Sequence, residues 1–312
     1  MKVLALVGPT AIGKSEIALA FALRRGGCEI VSADSMQIYR RMDIGTAKPG
    51  PESTSAVRHH LLDIVEPAEK FTVAQFQTAA REAIAEIGGR GHLPLLVGGS
   101  GLYVRAVVDP LEFAADEPGT ERRRELEELA ERSPEALFER LSVVDPEAMD
   151  KLGTDNPRRV IRAIEAAERT GLTFTVRRRR WQERRSVYDL MMVGLTLPRA
   201  ELVRRIEERV DRMVEAGLLE EVRGLYKQDG VPSRTAAQAL GYKEFSAYLR
   251  DEQSMNEALE EIKVRTRQFA KRQMTWYRAD PRVHWLDVSD LDAVAAAECV
   301  EALVKEKRFI VS

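Results

Sequence analysis

The residues best suited to chemistry stand near the start of the chain. Gly8-Pro9-Thr10-Ala11-Ile12-Gly13-Lys14-Ser15 fits the spacing G-x-x-x-x-G-K-[ST] of a P-loop at every fixed position. In that pattern the glycines let successive backbone N–H groups turn inward around phosphate oxygens. A following helix adds its positive end, Lys14 adds a cation, and the Ser15 hydroxyl is placed to hold Mg²⁺. The spacing alone suits any diphosphate, nucleotide or not. Nucleotide hydrolases usually pair such a loop with an apolar strand ending in aspartate, but here Leu95-Leu96-Val97 runs into Gly98-Gly99-Ser100-Gly101. The acids that follow apolar runs are instead Asp34 and Asp63. A carboxylate just past the end of a second strand lies where open α/β sheets bind ligands, which makes Asp34 a candidate general base or metal-shell ligand. It could also cap the segment that begins at Met36. Asp63, between leucine and isoleucine, reads as a structural carboxylate. His59 and His60 hint at a metal, but no third ligand accompanies them.

These residues need a framework. Apolar runs at Val3 to Val7, Glu29 to Ser32, Leu61 to Val65, Leu93 to Val97 and Leu190 to Leu197 alternate with helical patterns. That alternation predicts a parallel sheet covered on both faces. Lys14 to about Arg25 has helix periodicity, and Thr72 to Gln75 has capping-box spacing before a helical stretch that Gly88-Gly89 ends. From about Asp116 to Tyr188 the strand-like runs vanish. Ser133-Pro134, Asp145-Pro146 and Asn156-Pro157 each read as an N-cap followed by proline at the first helical position. The segment ends in Arg177-Arg178-Arg179-Arg180-Trp181-Gln182-Glu183-Arg184-Arg185, the densest basic run of the chain. After Leu197 the pattern is helical almost to the end, with a capping box at Ser254 to Glu257 opening a long helix to about Tyr277. The expected architecture is α/β: a P-loop-containing parallel sheet flanked by helices, residues 1–115 and 188–312, with an all-helical insertion at 116–187 and a helical C-terminal part.

Composition bounds the function classes. The 312 residues suffice for one large domain or two ordinary ones without covalent staples. With 48 basic and 50 acidic residues the net charge is −2, so a polyanion partner would have to be met by local segregation of charge. The two cysteines, Cys28 and Cys299, are too few for a disulfide framework and point to a reducing compartment. No apolar run approaches the length of a membrane span and the N-terminal run is too short for a signal peptide, so a cytoplasmic protein with no membrane partner is expected.

The stretch from Ser32-Ala33-Asp34-Ser35-Met36-Gln37-Ile38-Tyr39 through Gly45-Thr46-Ala47-Lys48-Pro49, taken with the P-loop, closely resembles the bacterial tRNA dimethylallyltransferases. The resemblance continues, in the family's order, in His59-His60-Leu61-Leu62-Asp63, in Pro94 to Tyr103, in Asn156-Pro157-Arg158-Arg159-Val160-Ile161-Arg162-Ala163, in Ala239 to Glu244 and in Thr266 to Trp276. Only the region around Leu111 to Leu141 and the segment after Leu286 stand outside it. Ser15 and Ser100 replace threonines common in the family and keep the hydroxyl.

The resemblance implies transfer of a dimethylallyl group from dimethylallyl diphosphate to N6 of the adenosine immediately 3′ of the anticodon, with Mg²⁺ as cofactor and the tRNA anticodon stem-loop as partner. It further implies Asp34 as the base, diphosphate binding by residues 8 to 15 with Mg²⁺ near Ser15, and catalytic roles for Thr10 and Arg209. Contacts to tRNA fall on Asp34, Ser35, Met36, Gln37, Gly101, Arg123, Arg158, Arg159, Val160, Ile161 and Arg162; His59 falls near the active site, and a monomer is expected. Unaided, helix periodicity leaves Arg209 one charge among several and makes Arg158, Arg159, Arg162 and the run from Arg177 to Arg185 solvated surface. A small-molecule kinase and an enzyme prenylating free adenine nucleotides would use the same loop and acid. The arginine-rich insertion and the basic residues Lys263, Arg265, Arg267, Lys271 and Arg272 favour an RNA substrate over both.

Overall fold

A computed structural model of the chain describes residues 1–113, 121–152, 156–228 and 232–309. In chain order its strands are β1 (Lys2–Val7), β2 (Cys28–Ser32), β3 (His59–His60), β4 (Leu93–Gly98), β5 (Asp189–Thr196) and β6 (Val283–Asp287). Its helices are α1 (Lys14–Arg25), α2 (Pro51–Ala56), α3 (Val73–Gly89), α4 (Gly101–Val108), α5 (Glu121–Arg132), α6 (Pro134–Val144), α7 (Met149–Leu152), α8 (Pro157–Thr170), α9 (Phe174–Glu183), α10 (Arg199–Glu215), α11 (Leu218–Gln228), α12 (Tyr242–Leu249), α13 (Met255–Arg278) and α14 (Ala293–Glu306). The strands form one parallel sheet in the order β3-β2-β4-β1-β5-β6. The fold is therefore α/β.

The chain divides into two compact units: residues 1–71, 75–108 and 186–312, and residues 72–74 with 109–185. The expected edge of the insertion between residues 115 and 116 lies outside the described residues.

In the first unit, both faces of β1 and β4 are covered, which is why these strands read as unbroken apolar runs. On one face Leu4, Leu6, Ile30, Leu95, Val193 and Leu195 pack against Ile17, Ala18 and Phe21 of α1 and Ala296, Val300 and Val304 of α14. The register aligns the strand ends: Val7 stands beside Gly98 and Gly194, and Ser32 beside Val97. The loops after β1, β2 and β4 thus leave from one edge of the sheet.

Two expectations fail here. The apolar run Leu61 to Val65 is not a strand; the strand is His59–His60, which pairs with Ile30 and Val31. Leu61 and Asp63 adopt φ of 65° and 56°, which turns the chain away after two residues and leaves only an isolated Tyr39–Val65 bridge. The C-terminal part is also not wholly helical, because Val283–Asp287 adds the edge strand β6.

The second unit is helical where described. Leu126, Leu137, Leu141, Val160, Ile161 and Ile164 form its core. Ser133 and Asn156 cap α6 and α8 as expected, accepting from Ala136 N–H (3.3 Å) and Arg159 N–H (3.4 Å). Asp145 does not cap the short 3₁₀ turn that follows it; its buried carboxylate accepts from Thr175 N–H at 2.7 Å.

Candidate active site

The loop between β1 and α1 is shaped by its backbone. Gly13 has φ of 96°, a value that L side chains rarely adopt, and a Cβ on Gly8 (φ 152°) would sit 3.1 Å from the Leu195 carbonyl. Ala11 also takes a left-handed conformation, φ 63°. No side chain caps the N-terminus of α1, so its first amides face the loop. Lys14 Nζ donates to Pro9 O at 2.7 Å, and Thr10 N–H donates to Gln273 Oε1 at 2.8 Å.

Asp34 follows β2 and is half-buried. Its Oδ1 accepts from Met36 N–H at 2.8 Å, capping a turn rather than a helix. Behind it, Ser32 Oγ donates to Gln37 Oε1 at 2.9 Å, and Gln37 Nε2 donates to the Thr46 and Ala47 carbonyls, both at 3.2 Å. Ser35 and Ser100 hydroxyls meet at 3.4 Å.

These groups line neighbouring cavities that share residues. A small inner one of about 60 Å³ is lined by Thr10, Lys14, Ser15, Asp34, His59 and Arg209 among others. An outer one of about 410 Å³ lies against Ala11 to Ile17, Arg204, Arg205, Arg209 and Arg212. Another, about 280 Å³, is lined by Asp34, Ser35, Met36, Ser100, Phe269 and Arg272, with Thr10 and Arg209 again on its wall. Arg209 borders all three. The structure therefore brings Thr10, Lys14, Ser15, Asp34 and Arg209 together, although helix periodicity alone gave Arg209 no such place.

The electrostatics suit an anion. Burial, with the neighbouring Arg209 charge, lowers Lys14 from 10.5 to about 8 despite Asp34 and Glu16. Burial likewise lowers Arg209, again against Asp34 and Glu16. Two cations facing each other in a partly desolvated cavity favour an anionic occupant. His59 is lowered by burial, and its Nδ1 donates to Val57 O at 2.7 Å. His60 turns elsewhere, donating to the buried Glu29. Among the described residues no group of three or more His, Cys, Asp or Glu could hold a metal ion.

A family model described as IPP transferase matches residues 37–280, and one described as isopentenyl transferase matches residues 1–69. The chain belongs to the IPP transferase family. It is 47% identical over 296 residues to a tRNA dimethylallyltransferase of Geobacillus thermodenitrificans, covering 94% of this chain and 93% of that one. The solved structure of a tRNA isopentenylpyrophosphate transferase from Bacillus halodurans superposes with a TM-score of 0.72 at 41% identity, covering 99% and 98% of the two chains. That of a eukaryotic dimethylallyltransferase acting on tRNA gives 0.82 at 27% identity, covering 99% of this chain and 79% of the other.

For this IPP transferase family member, the residues expected to touch RNA divide by environment. Ser35 and Met36 line the cavity that holds Asp34. Gln37 is 8% exposed and spends its amide on internal hydrogen bonds, which fits a scaffold for the turn. Gly98 to Gly101 is glycine-rich because other groups occupy the space of its side chains: a Cβ would overlap the Ala33 carbonyl at Gly98, the Gln273 amide at Gly99 and the Trp276 indole at Gly101. In the helical unit Arg158, Arg159 and Arg162 are exposed. Val160 and Ile161 are 0% and 2% exposed and belong to that unit's core. Arg123 is largely covered and paired with Glu127 (3.2 Å) and Glu165 (3.1 Å).

Sequence reasoning passed over Gln273. The buried stripe of α13 runs Ala258, Ile262, Thr266, Ala270, Gln273, Tyr277. A glutamine where helix periodicity calls for an apolar residue was the available signal.

Proposed function

We propose that the protein transfers a dimethylallyl group from dimethylallyl diphosphate to N6 of the adenosine immediately 3′ of the anticodon in tRNA, releasing diphosphate. The observation that carries this reading, in a chain of the IPP transferase family, is the shared cavity system that sets a carboxylate, Asp34, against Lys14, Arg209 and the Gly8 to Ser15 loop.

The reaction has two difficulties. The adenine amino lone pair is delocalised into the ring, and diphosphate leaves only when its growing charge is neutralised. As the bond from N6 to the allylic carbon forms and the carbon–oxygen bond breaks, the electron pair departs with the diphosphate. The loop amides, Lys14 and Arg209 stabilise that charge, and the Thr10 hydroxyl touches the bridging oxygen. Asp34 takes the N6 proton; its Oδ1 is fixed by Met36 N–H, which orients Oδ2 as the acceptor. The fit to Mg²⁺ rests on donor chemistry: the Ser15 hydroxyl, a hard oxygen donor, lines the inner cavity. Ser15 would help to hold the ion, which would add charge neutralisation at the departing diphosphate.

The target base must leave its stack to reach Asp34, at a cost of about a few kcal/mol. The 280 Å³ cavity, with Phe269 and Arg272 on its wall, is the space for it. Arg158, Arg159 and Arg162 supply cations for the tRNA backbone. Among the described residues no helix is long and apolar enough to cross a membrane.

The test is incubation of labelled dimethylallyl diphosphate with unmodified tRNA, AMP or ADP in parallel. Label enters tRNA alone if the reading holds. Label in AMP or ADP would make the protein an adenylate prenyltransferase, and ATP-dependent phosphorylation with no label transfer would make it a kinase.

A further inference from the structure

We infer that Gln273 is a positioning residue that sets the Gly8 to Ser15 loop in register with the acceptor cavity, an inference that rests on the prenyl-transfer reading above.

Gln273 is 6% exposed on α13, and its Oε1 accepts the Thr10 N–H at 2.8 Å. Its Nε2 occupies the space that a side chain on Gly99 would need, beside the Gly8 carbonyl. One side-chain amide thus lies between the loops that leave the adjacent strands β1 and β4. Close by, Tyr277 of the same helix directs its hydroxyl at Gly98 O, 3.4 Å away. The bond to Thr10 is the one that matters chemically, because Thr10 lines both the inner cavity with Lys14 and the cavity that holds Asp34, Phe269 and Arg272.

Phe269 and Arg272 also belong to α13, as does Thr266 on the same wall. The helix that shapes the acceptor's space therefore grips the loop assigned to the donor's diphosphate. The loop's lysine cannot supply this grip, since Lys14 Nζ is bonded to Pro9 O within the loop. In-line transfer requires the attacking nitrogen and the allylic carbon to approach to about 3–3.5 Å, and a displacement of about 1 Å costs roughly a hundredfold in rate. A hydrogen bond that ties Thr10 to the acceptor wall holds that separation. It explains why a glutamine stands in the buried stripe of α13, and why Gly99 carries no side chain.

The test compares Gln273→Met, equal in length but without an acceptor, and Gln273→Asn, polar but a methylene short, with Gln273→Glu, which reaches Thr10 N–H and still accepts. For each, kcat, KM for both substrates and the thermal midpoint are measured beside wild type. Met and Asn should lower kcat about 10–100-fold with tRNA KM within about threefold, and Glu should recover most of the lost kcat. Wild-type kcat in both Met and Asn, an equal loss in all three variants, or a change confined to the thermal midpoint would overturn the inference. Should wild type itself transfer no label to tRNA, the prenyl-transfer reading fails instead.

Discussion

Replacing Gly101 by alanine separates two explanations of the Gly98 to Gly101 turn. An alanine methyl at Gly101 overlaps Cδ1, Nε1 and Cγ of Trp276, rigid atoms near the base of an indole carried by α13. Relief requires the ring to leave its rotamer or α4 and α13 to part. Overpacking of this kind costs about 1–3 kcal/mol, and alanine's better helix propensity returns no more than about 1 kcal/mol at this first residue of α4. The net loss of about 1–2 kcal/mol corresponds to a thermal midpoint lower by about 2–8 °C. Differential scanning calorimetry reads this, and steady-state kinetics with tRNA is run alongside. Pairing Gly101→Ala with Trp276→Leu, which opens the space, should restore more than half of the lost midpoint. If Gly101 is instead present so that RNA can approach the backbone, the variant keeps the wild-type midpoint and shows only a raised tRNA KM. That result would refute the packing argument.

Glu29→Gln probes the other end of the sheet edge. Burial would raise Glu29, but hydrogen bonds from Arg90, His60 and His92 outweigh it and hold the carboxyl at about 2. A folded-state value below the ordinary 4.5 means stability that is complete above about 4.5 and is lost as pH falls toward 2. The shift corresponds to at most about 3 kcal/mol, and water reaching Arg90 and His92 reduces it to about 1–2 kcal/mol. Urea denaturation should show that deficit at pH 7 and a smaller one at pH 3; a deficit that does not change with pH would disprove it. Charge reversal at Arg158 and Arg159 together should lower the salt slope of tRNA binding by about 2 and leave pyrophosphate binding unchanged, whereas an unaltered slope would mean these arginines stay in solvent in the complex.

The loop motif and Asp34 could be read from the sequence because fixed spacing and a strand end locate them without tertiary information. Leu61 to Val65 misled because its hydrophobicity is that of a buried strand, while positive φ at Leu61 and Asp63 turns it into a connection held by Asp63 N–H to Gln37 O at 3.3 Å. β6 escaped notice because only Val283 of its five residues is buried, as on a sheet edge. Arg209 sits between Ile206 and Val210, both buried, on a helix crowded with charge. Which of its arginines faces the cavity is settled by how α10 packs, a fact of tertiary structure that periodicity does not contain. The glycines at 98 to 101 read as a turn; that they make room for Ala33 after β2 and for Gln273 and Trp276 of α13, some 170 residues away, is set by tertiary packing.

The most direct test of the account is nucleoside mass analysis of unmodified tRNA after incubation with dimethylallyl diphosphate and either wild type or Asp34→Asn. Wild type should give one N6-(dimethylallyl)adenosine per reactive tRNA, at the adenosine 3′ of the anticodon, with one diphosphate released per adduct. Asp34→Asn should be slower by about 10²–10⁴-fold. No adduct with wild type, or an adduct formed equally fast by Asp34→Asn, would contradict it.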